Sequence, residues 1–340
     1  MQNQLTPHPS VSDRSRAWSE EQTLHVAAVV SNPQRWGTRL KLAHDFRRHM
    51  RASPNVRLHF IELAYGDRPH ELVRPHLHPD DHALRTVHEI FHKENLSNLA
   101  VQTFPDGWRY GAIIDADFSF CRWDWALATI HELQHYDWVQ PFSTYQNLSG
   151  NLPGRAFQPV GDIGRSFAYT WHQNGHDLPP GWRQAEPYAR RRGVGAPGGA
   201  WAFTRKAWDE SGGLLDRCVL GSGDWFMAFG LVGERAPDKR YDGYSDAYVH
   251  YLDAALERYS TCRKNIGYVD CHAFHGFHGA IRNRAYGSRD EILIAHSFDP
   301  YKDVYPDWRG VLQVSPRKPE LRDAIRRYFR ERNEDDPALT

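Results

Sequence analysis

Cysteine is scarce in this 340-residue chain: four residues, at 121, 218, 262 and 271, with no Cys-x-x-Cys pair among them. That scatter argues against a disulfide-framed secreted scaffold and against a cysteine-based zinc module, so reduced thiols in a cytoplasm are expected. Charge of one sign is lacking too. Lys+Arg and Asp+Glu both number 42, so no overall field draws the chain to nucleic acid or to a basic partner, although a local groove needs no net charge. No run approaches the roughly 20 apolar residues of a membrane span, and the opening MQNQLTPHPSVSDRSRAWSEEQ lacks the apolar centre of a signal peptide. A soluble, cytoplasmic protein is the expectation. Internal repeats are absent. What is abundant is aromatic: 12 Trp, 16 Tyr and 16 Phe, whose flat faces serve as core filler or as platforms for sugar rings.

The order of patterns along the chain predicts an α/β domain. LHVAAVVSN (24–32) is a short apolar run of the kind a buried parallel strand shows, RLKLAHDFRRHM (39–50) has helical spacing, and VRLHFIELA (56–64) is a second strand. A further helix is expected over 80–104, leading to WRYGAIIDADFSF (108–120), where an apolar run ends abruptly in acidic residues. Such alternation implies a Rossmann-like, mainly parallel sheet flanked by helices, with sites beyond the carboxyl ends of its strands. Residues 147–200, rich in Gly, Pro and Asn, read as long loops over a site. Short helices are expected within 202–216 and 223–233, and an amphipathic tail helix over 319–336, its basic side a solvated face. The division expected is a disordered segment 1–22, a catalytic domain 23–290 and a C-terminal extension 291–340.

Chemistry concentrates in a few places. In IIDADF, Asp115 and Asp117 stand one residue apart at a strand's end, where both carboxylates can turn toward a hard divalent cation such as Mg²⁺ or, with an imidazole added, Mn²⁺. In HAFHGFHGAIRNRAY (272–286), His275 and His278 have the spacing of ligands on one turn, and Arg282 and Arg284 suit phosphate oxygens. Which of the two histidines would bind metal is open, with His278 ahead. Asp224, in GSGDWF, follows a glycine-bearing turn just before a helix, which fits a general base toward a hydroxyl and equally fits a helix cap. His131-Glu132-x-x-His135 matches the zinc-peptidase pattern, but Trp138 and Pro141 occupy the places where the longer pattern demands Gly and His, and the next glutamate is the distant Glu186. That reading is disfavoured.

Taken in order, these motifs resemble the GT-A glycosyltransferases, and within them the β-1,4-galactosyltransferase-like branch together with bacterial and phage members of the clan. FHKENLSNLAV (91–101) is similar to that branch's helix ahead of the Asp-x-Asp strand; ELAYGDRP (62–69) to its Gln-Ala-Gly-Asp strand end; GAPGGAWAFTRKAWDESGGL (195–214) to its Gly-Gly block; GSGDWFM to its acidic Gly-Gly-Glu-Asp-Asp-Asp; and GFHG to its late histidine ligand. The resemblance spans roughly residues 25–280. It implies metal binding by Asp115, Asp117 and His278, nucleotide contacts near Asn32, Arg35, Asp67 and Lys93, and a base at Asp224. Gly199, Trp201 and Trp225 would border the sugar or acceptor, with Phe203 and Phe226 beside them. The implied activity is inverting, metal-dependent transfer of a hexose from a nucleotide-diphosphate sugar, UDP-linked by expectation, to an acceptor hydroxyl. Saccharide or surface glycan is the favoured acceptor, with a hydroxylated DNA base a minority alternative. A nucleotidyltransferase is the competing enzyme reading, but SNPQRWGTR at the first strand offers one Gly and Arg in place of a Gly-rich lysine loop. A non-catalytic nucleotide-sugar-binding module is the remaining alternative.

Overall fold

The structure, a computed structural model, describes residues 19–73, 78–149, 158–182, 193–237, 239–262, 265–286 and 288–335. Among the described residues the central sheet has seven strands: β1 (Leu24–Ser31), β2 (Val56–Tyr65), β3 (Asp81–Thr86), β4 (Tyr110–Ile114), β6 (Trp138–Gln140), β9 (Ala200–Thr204) and β10 (Ile266–Tyr268). Their spatial order is β10-β6-β9-β4-β1-β2-β3. β3, β2, β1 and β4 run parallel to one another, β9 lies antiparallel between β4 and β6, and β10 returns parallel to β6. This is the mixed, mainly parallel α/β sheet the sequence predicts. β1 is an interior strand between β4 and β2, covered on both faces, which is why LHVAAVVS is apolar almost throughout and not alternating.

Helices cover both faces. On α1 (Gly37–Ala52), Ala43, Phe46 and Met50 are buried at helical spacing and pack with β1 and β2. α2 (Lys93–Val101), α6 (Gly223–Leu231) and α7 (Asp246–Ser260) belong to the second and larger core. A smaller sheet, in the order β5-β11-β7-β8, stands beside the central one and is built from β5 (Phe118–Phe120), β7 (Thr144–Leu148), β8 (Pro159–Arg165) and β11 (His272–His275).

Two sequence expectations are corrected. Residues 80–104 are not one helix. Asp81–Thr86 is the edge strand, paired in parallel with Phe60–Tyr65, and the helix is confined to Lys93–Val101. Five of the six edge-strand residues are half-buried, so no alternation marked it as strand, and its partner decided the outcome. Nor is 147–200 all loop: β8 pairs antiparallel with β7, and α4 (Phe167–Gln173) follows, its first turn capped by Ser166 Oγ accepting from Tyr169 N. Residues 150–157 and 183–192 of that stretch, and the opening 1–18, lie outside the described residues. Glu20–Gln22, expected to be disordered, form a single 3₁₀ turn.

The tail is integrated with the sheet. Leu312 N donates to Asn95 Oδ1, Asn95 Nδ2 to Gly310 O, and Thr86 Oγ1 to Gln313 Oε1, tying the hairpin β12 (Val304–Pro306) and β13 (Leu312–Val314) to α2 and β3. α9 (Pro319–Glu331) buries Leu321, Ile325, Tyr328 and Phe329 in the larger core. At its end Asp335 accepts from Gly37 N and Thr38 N, capping α1 from across the chain.

Candidate active site

The carboxyl ends of β1 and β4 open into a cleft of about 1500 Å³, roomy beside the ~300–1000 Å³ of a small-ligand pocket. Asp115 and Asp117 follow β4 directly. Asp115 is fixed by its own backbone N–H, which donates 2.8 Å to Gly199 O, and Gly199 must be glycine: its φ is +92° and a methyl there would lie 2.6 Å from the Phe118 ring. The carboxylate of Asp115 takes the Lys93 ammonium at 2.6 Å. Burial works against a charged lysine, but Asp115 and Asp224 outweigh it and hold Lys93 above the ordinary lysine range.

Asp117 meets a different neighbourhood. Its Oδ2 is 3.1 Å from His278 Nε2 and its Oδ1 3.7 Å from His275 Nε2, while the two Nε2 atoms are 3.3 Å apart. His275 Nδ1 donates to Asn147 Oδ1 at 2.9 Å, an amide oxygen that can only accept, so the neutral ring points its Nε2 lone pair inward. Burial, the largest influence, pushes His275 down to about 3, keeping it neutral. Burial alone would raise Asp117, but His278, which also hydrogen-bonds it, and Arg39 outweigh it and hold its carboxyl below the usual range.

These three side chains fit a divalent cation. Among the described residues they are the one His/Cys/Asp/Glu group with mutually convergent ligand atoms. Their separations of 3.1, 3.3 and 3.7 Å are close to the ~3 Å edge of an octahedron with ~2.1 Å bonds. Moreover Asp117 Oδ1 is buried with no hydrogen-bond partner, an acceptor that a cation would satisfy. Two imidazoles favour a transition metal such as Mn²⁺ over Mg²⁺. So the structure brings together Asp117, His278 and the undecided His275, while it sets Asp115 against Lys93.

Cations surround this triad. Arg284 NH2 is 3.0 Å from His278 Nε2, and Arg39 reaches Glu334 through Nε at 2.7 Å and NH2 at 2.9 Å, a two-pronged pair. Arg332 adds a second guanidinium to Glu334 at 2.8 Å. Across the cleft, the turn Gly221–Ser222 is left-handed at both residues and launches α6, placing Asp224 in its first turn, where Oδ1 accepts from Trp225 N. Ser222, not Asp224, is the capping position.

Other expected residues fall elsewhere. Asn32 closes a turn on Trp36, accepting from its N and donating to its O. Arg35 is 61% exposed and pairs with Glu71, and Asp67 is exposed at the end of β2; none of these three lines the cleft. Trp225 does line it, whereas Trp201 is 3% exposed and Phe203 fully buried in the core. Trp201 Nε1 donates to Pro197 O, and its ring underlies only the cleft's inner end. The side chain of Arg282 lies outside the described residues. His131, Glu132 and His135 form no convergent group, because α3 (Trp125–Glu132) ends before His135. Sequence reasoning missed Arg39, Glu94, Asn147 and Glu334. Arg39 alone carried a signal, standing just inside the first helix after β1, a place suited to anions.

The sequence matches no protein-family model and no curated protein. Among solved structures, that of a "putative nucleotide-diphospho-sugar transferase" from Desulfovibrio desulfuricans G20 aligns over 82% of this chain and 99% of its own, at 10% identity and a TM-score of 0.33.

Proposed function

We propose that this chain is a metal-dependent, inverting glycosyltransferase that moves a hexose from a nucleotide-diphosphate sugar, UDP-linked in our reading, to an acceptor hydroxyl. The observation that carries this is the unsatisfied Asp117 oxygen facing two inward imidazoles at the carboxyl ends of parallel strands, in a cleft that also holds Asp224.

Asp117, His275 and His278 would hold the cation, Mn²⁺ by its two imidazoles. When bound it supplies positive charge where a diphosphate leaving group gathers negative charge. Arg39 and Arg284 line the same part of the cleft and orient phosphate oxygens. In the transfer the bond from the anomeric carbon to the diphosphate breaks, the acceptor oxygen bonds to the opposite face of that carbon, and Asp224 takes the acceptor's proton. Lys93, held charged by Asp115, keeps a fixed cation on the wall between the two ends. A saccharide is the acceptor we favour.

The test is a panel of nucleotide sugars with purified protein, in Mn²⁺ and in EDTA. We expect slow, Mn²⁺-dependent release of a nucleoside diphosphate from one donor, lost in Asp117→Ala. Asp224→Asn should still bind that donor yet turn over about 100- to 10,000-fold more slowly. Failure of every donor and of free UDP to bind would refute the reading.

A further inference from the structure

Glu94 follows Lys93 on the first turn of α2, and the transfer described above gives it no task. It is 3% exposed, and its Oε2 has no hydrogen-bond partner among the described residues. A buried carboxyl with an idle oxygen costs stability unless something else satisfies it. Core filling does not explain its place, because Glu94 lines the small inner pocket at the end of the cleft together with Lys93, Asp115, Gly198, Gly199 and Asp224. Two glycines keep that space open. A methyl at Gly223 would stand 3.0 Å from Glu94 Oε1, and one at Gly198 would stand 2.4 Å from Asp224 Oδ2.

The charges there do not balance. The pocket wall has three carboxyl groups and one lysine, and that lysine is engaged by Asp115 at 2.6 Å. Burial first, then the nearby Asp224, push Glu94 up to about 8, so at neutral pH it retains its proton. A neutral carboxyl both donates and accepts, and an ionised one only accepts. A sugar hydroxyl likewise gives one hydrogen bond and receives others. The diphosphate's oxygens, by contrast, only accept, and a carboxyl-lined end repels them.

We propose that Glu94 is a specificity-determining residue, its idle carboxyl oxygen holding a hydroxyl of the donor's pyranose ring in the pocket framed by Gly198, Gly223 and Asp224. This rests on the nucleotide-sugar reading and deepens it: the sugar half of the donor lies at the Glu94 end, and the diphosphate at the Asp117 end. α2 supplies Glu94, α6 supplies Gly223 and Asp224, and the segment before β9 supplies Gly198, so selection among hexoses is set where these three elements meet.

The experiment is calorimetric titration of the full chain in Mn²⁺ with UDP and with a panel of UDP-hexoses and UDP-N-acetylhexosamines, on wild type, Glu94→Ala, Glu94→Gln and Gly223→Ala. For the sugar that wild type binds, Glu94→Ala should weaken affinity about tenfold or more, while UDP changes less than twofold. Glu94→Gln, which keeps a donor and an acceptor, should stay within about threefold for both. Gly223→Ala, whose methyl crowds the carboxyl without deleting it, should weaken the sugar at least about fivefold and supplies the answer if Glu94→Ala does not fold. Equal weakening of UDP and UDP-sugar, or weakening of neither, overturns the proposal and leaves the glycosyltransferase reading intact. UDP binding with no UDP-sugar bound overturns it too. If neither UDP nor any sugar nucleotide binds, both readings fall together.

Discussion

The protein contains two histidine pairs at nearly the same separation, the rings tilted by 42° in one and perpendicular in the other. In the sheet, His25 Nδ1 lies 3.1 Å from His59 Nε2; in the cleft, His275 Nε2 lies 3.3 Å from His278 Nε2. The pair in the sheet is closed at both ends, by Glu20 Oε2 at 2.7 Å from His25 Nε2 and by Thr103 Oγ1 at 3.1 Å from His59 Nδ1, and Phe104 packs on both rings. Every ring nitrogen there has a protein partner. The pair in the cleft converges on Asp117, whose Oδ1 has none. Histidine proximity therefore does not by itself mark a site in a chain with 20 of them; the unsatisfied acceptor is what separates the cleft pair from the pair in the sheet.

The sharpest way to break this comparison is to remove one ring from each pair and titrate Mn²⁺. His278→Ala should weaken Mn²⁺ binding by more than about 100-fold, since even outer partners of metal ligands carry about 10–100-fold. His59→Gln should leave Mn²⁺ affinity within about twofold. Equal losses in the two variants would mean that the cleft pair is structural as well.

Acid should reveal the opposite ranking. Burial, set against Asp80 and reinforced by His25, Arg57 and His82, pushes His59 down to about 3, and burial lowers His25 despite Glu20. In the unfolded chain such histidines titrate near 6.5, so below that pH the unfolded state binds more protons than the folded one. The stabilisation is whole above about pH 6.5 and drains as pH falls toward 3. Other buried histidines, His92 among them at about 4, shift in the same direction, so a difference between proteins is the measurement. Between pH 6.5 and 5, wild type should lose about 2 kcal/mol more unfolding free energy than His59→Gln, read from urea melts. Parallel losses would show that His59 does not stay neutral in the fold.

The same contrast explains what could be read in the sequence. β1, β2 and β4 were visible because central strands covered on both faces are continuous apolar runs, and Asp117, Asp224 and His278 because motif spacing places them at strand or helix ends. The strand β3 was hidden because an edge strand half-buried along its length has no period of two, and β8 because its residues are nearly all exposed and its order comes from backbone pairing with β7. Glu94, Asn147 and Glu334 were hidden for another reason: their meaning lies in partners far along the chain. Arg39 and Glu334 are 295 positions apart, Asn147 and His275 are 128 apart, and Glu94 meets the glycine before Asp224 only because α2 and α6 pack together.

Asn147 offers the finest test, because it touches the cleft pair without belonging to it. It lies on β7, which pairs in parallel with β11 so that Asn147 stands opposite His275 in the register. Its Oδ1 accepts the Nδ1–H hydrogen bond and so fixes which ring nitrogen faces Asp117. Asn147→Ala leaves the ring in place but frees it to carry its proton on Nε2, the wrong nitrogen for a ligand. Mn²⁺ affinity should fall about tenfold, and Asn147→Asp, whose carboxylate still accepts at that position, should recover most of it. An unchanged affinity in Asn147→Ala would mean that Asp117 and His278 suffice and that His275 belongs with the structural histidines.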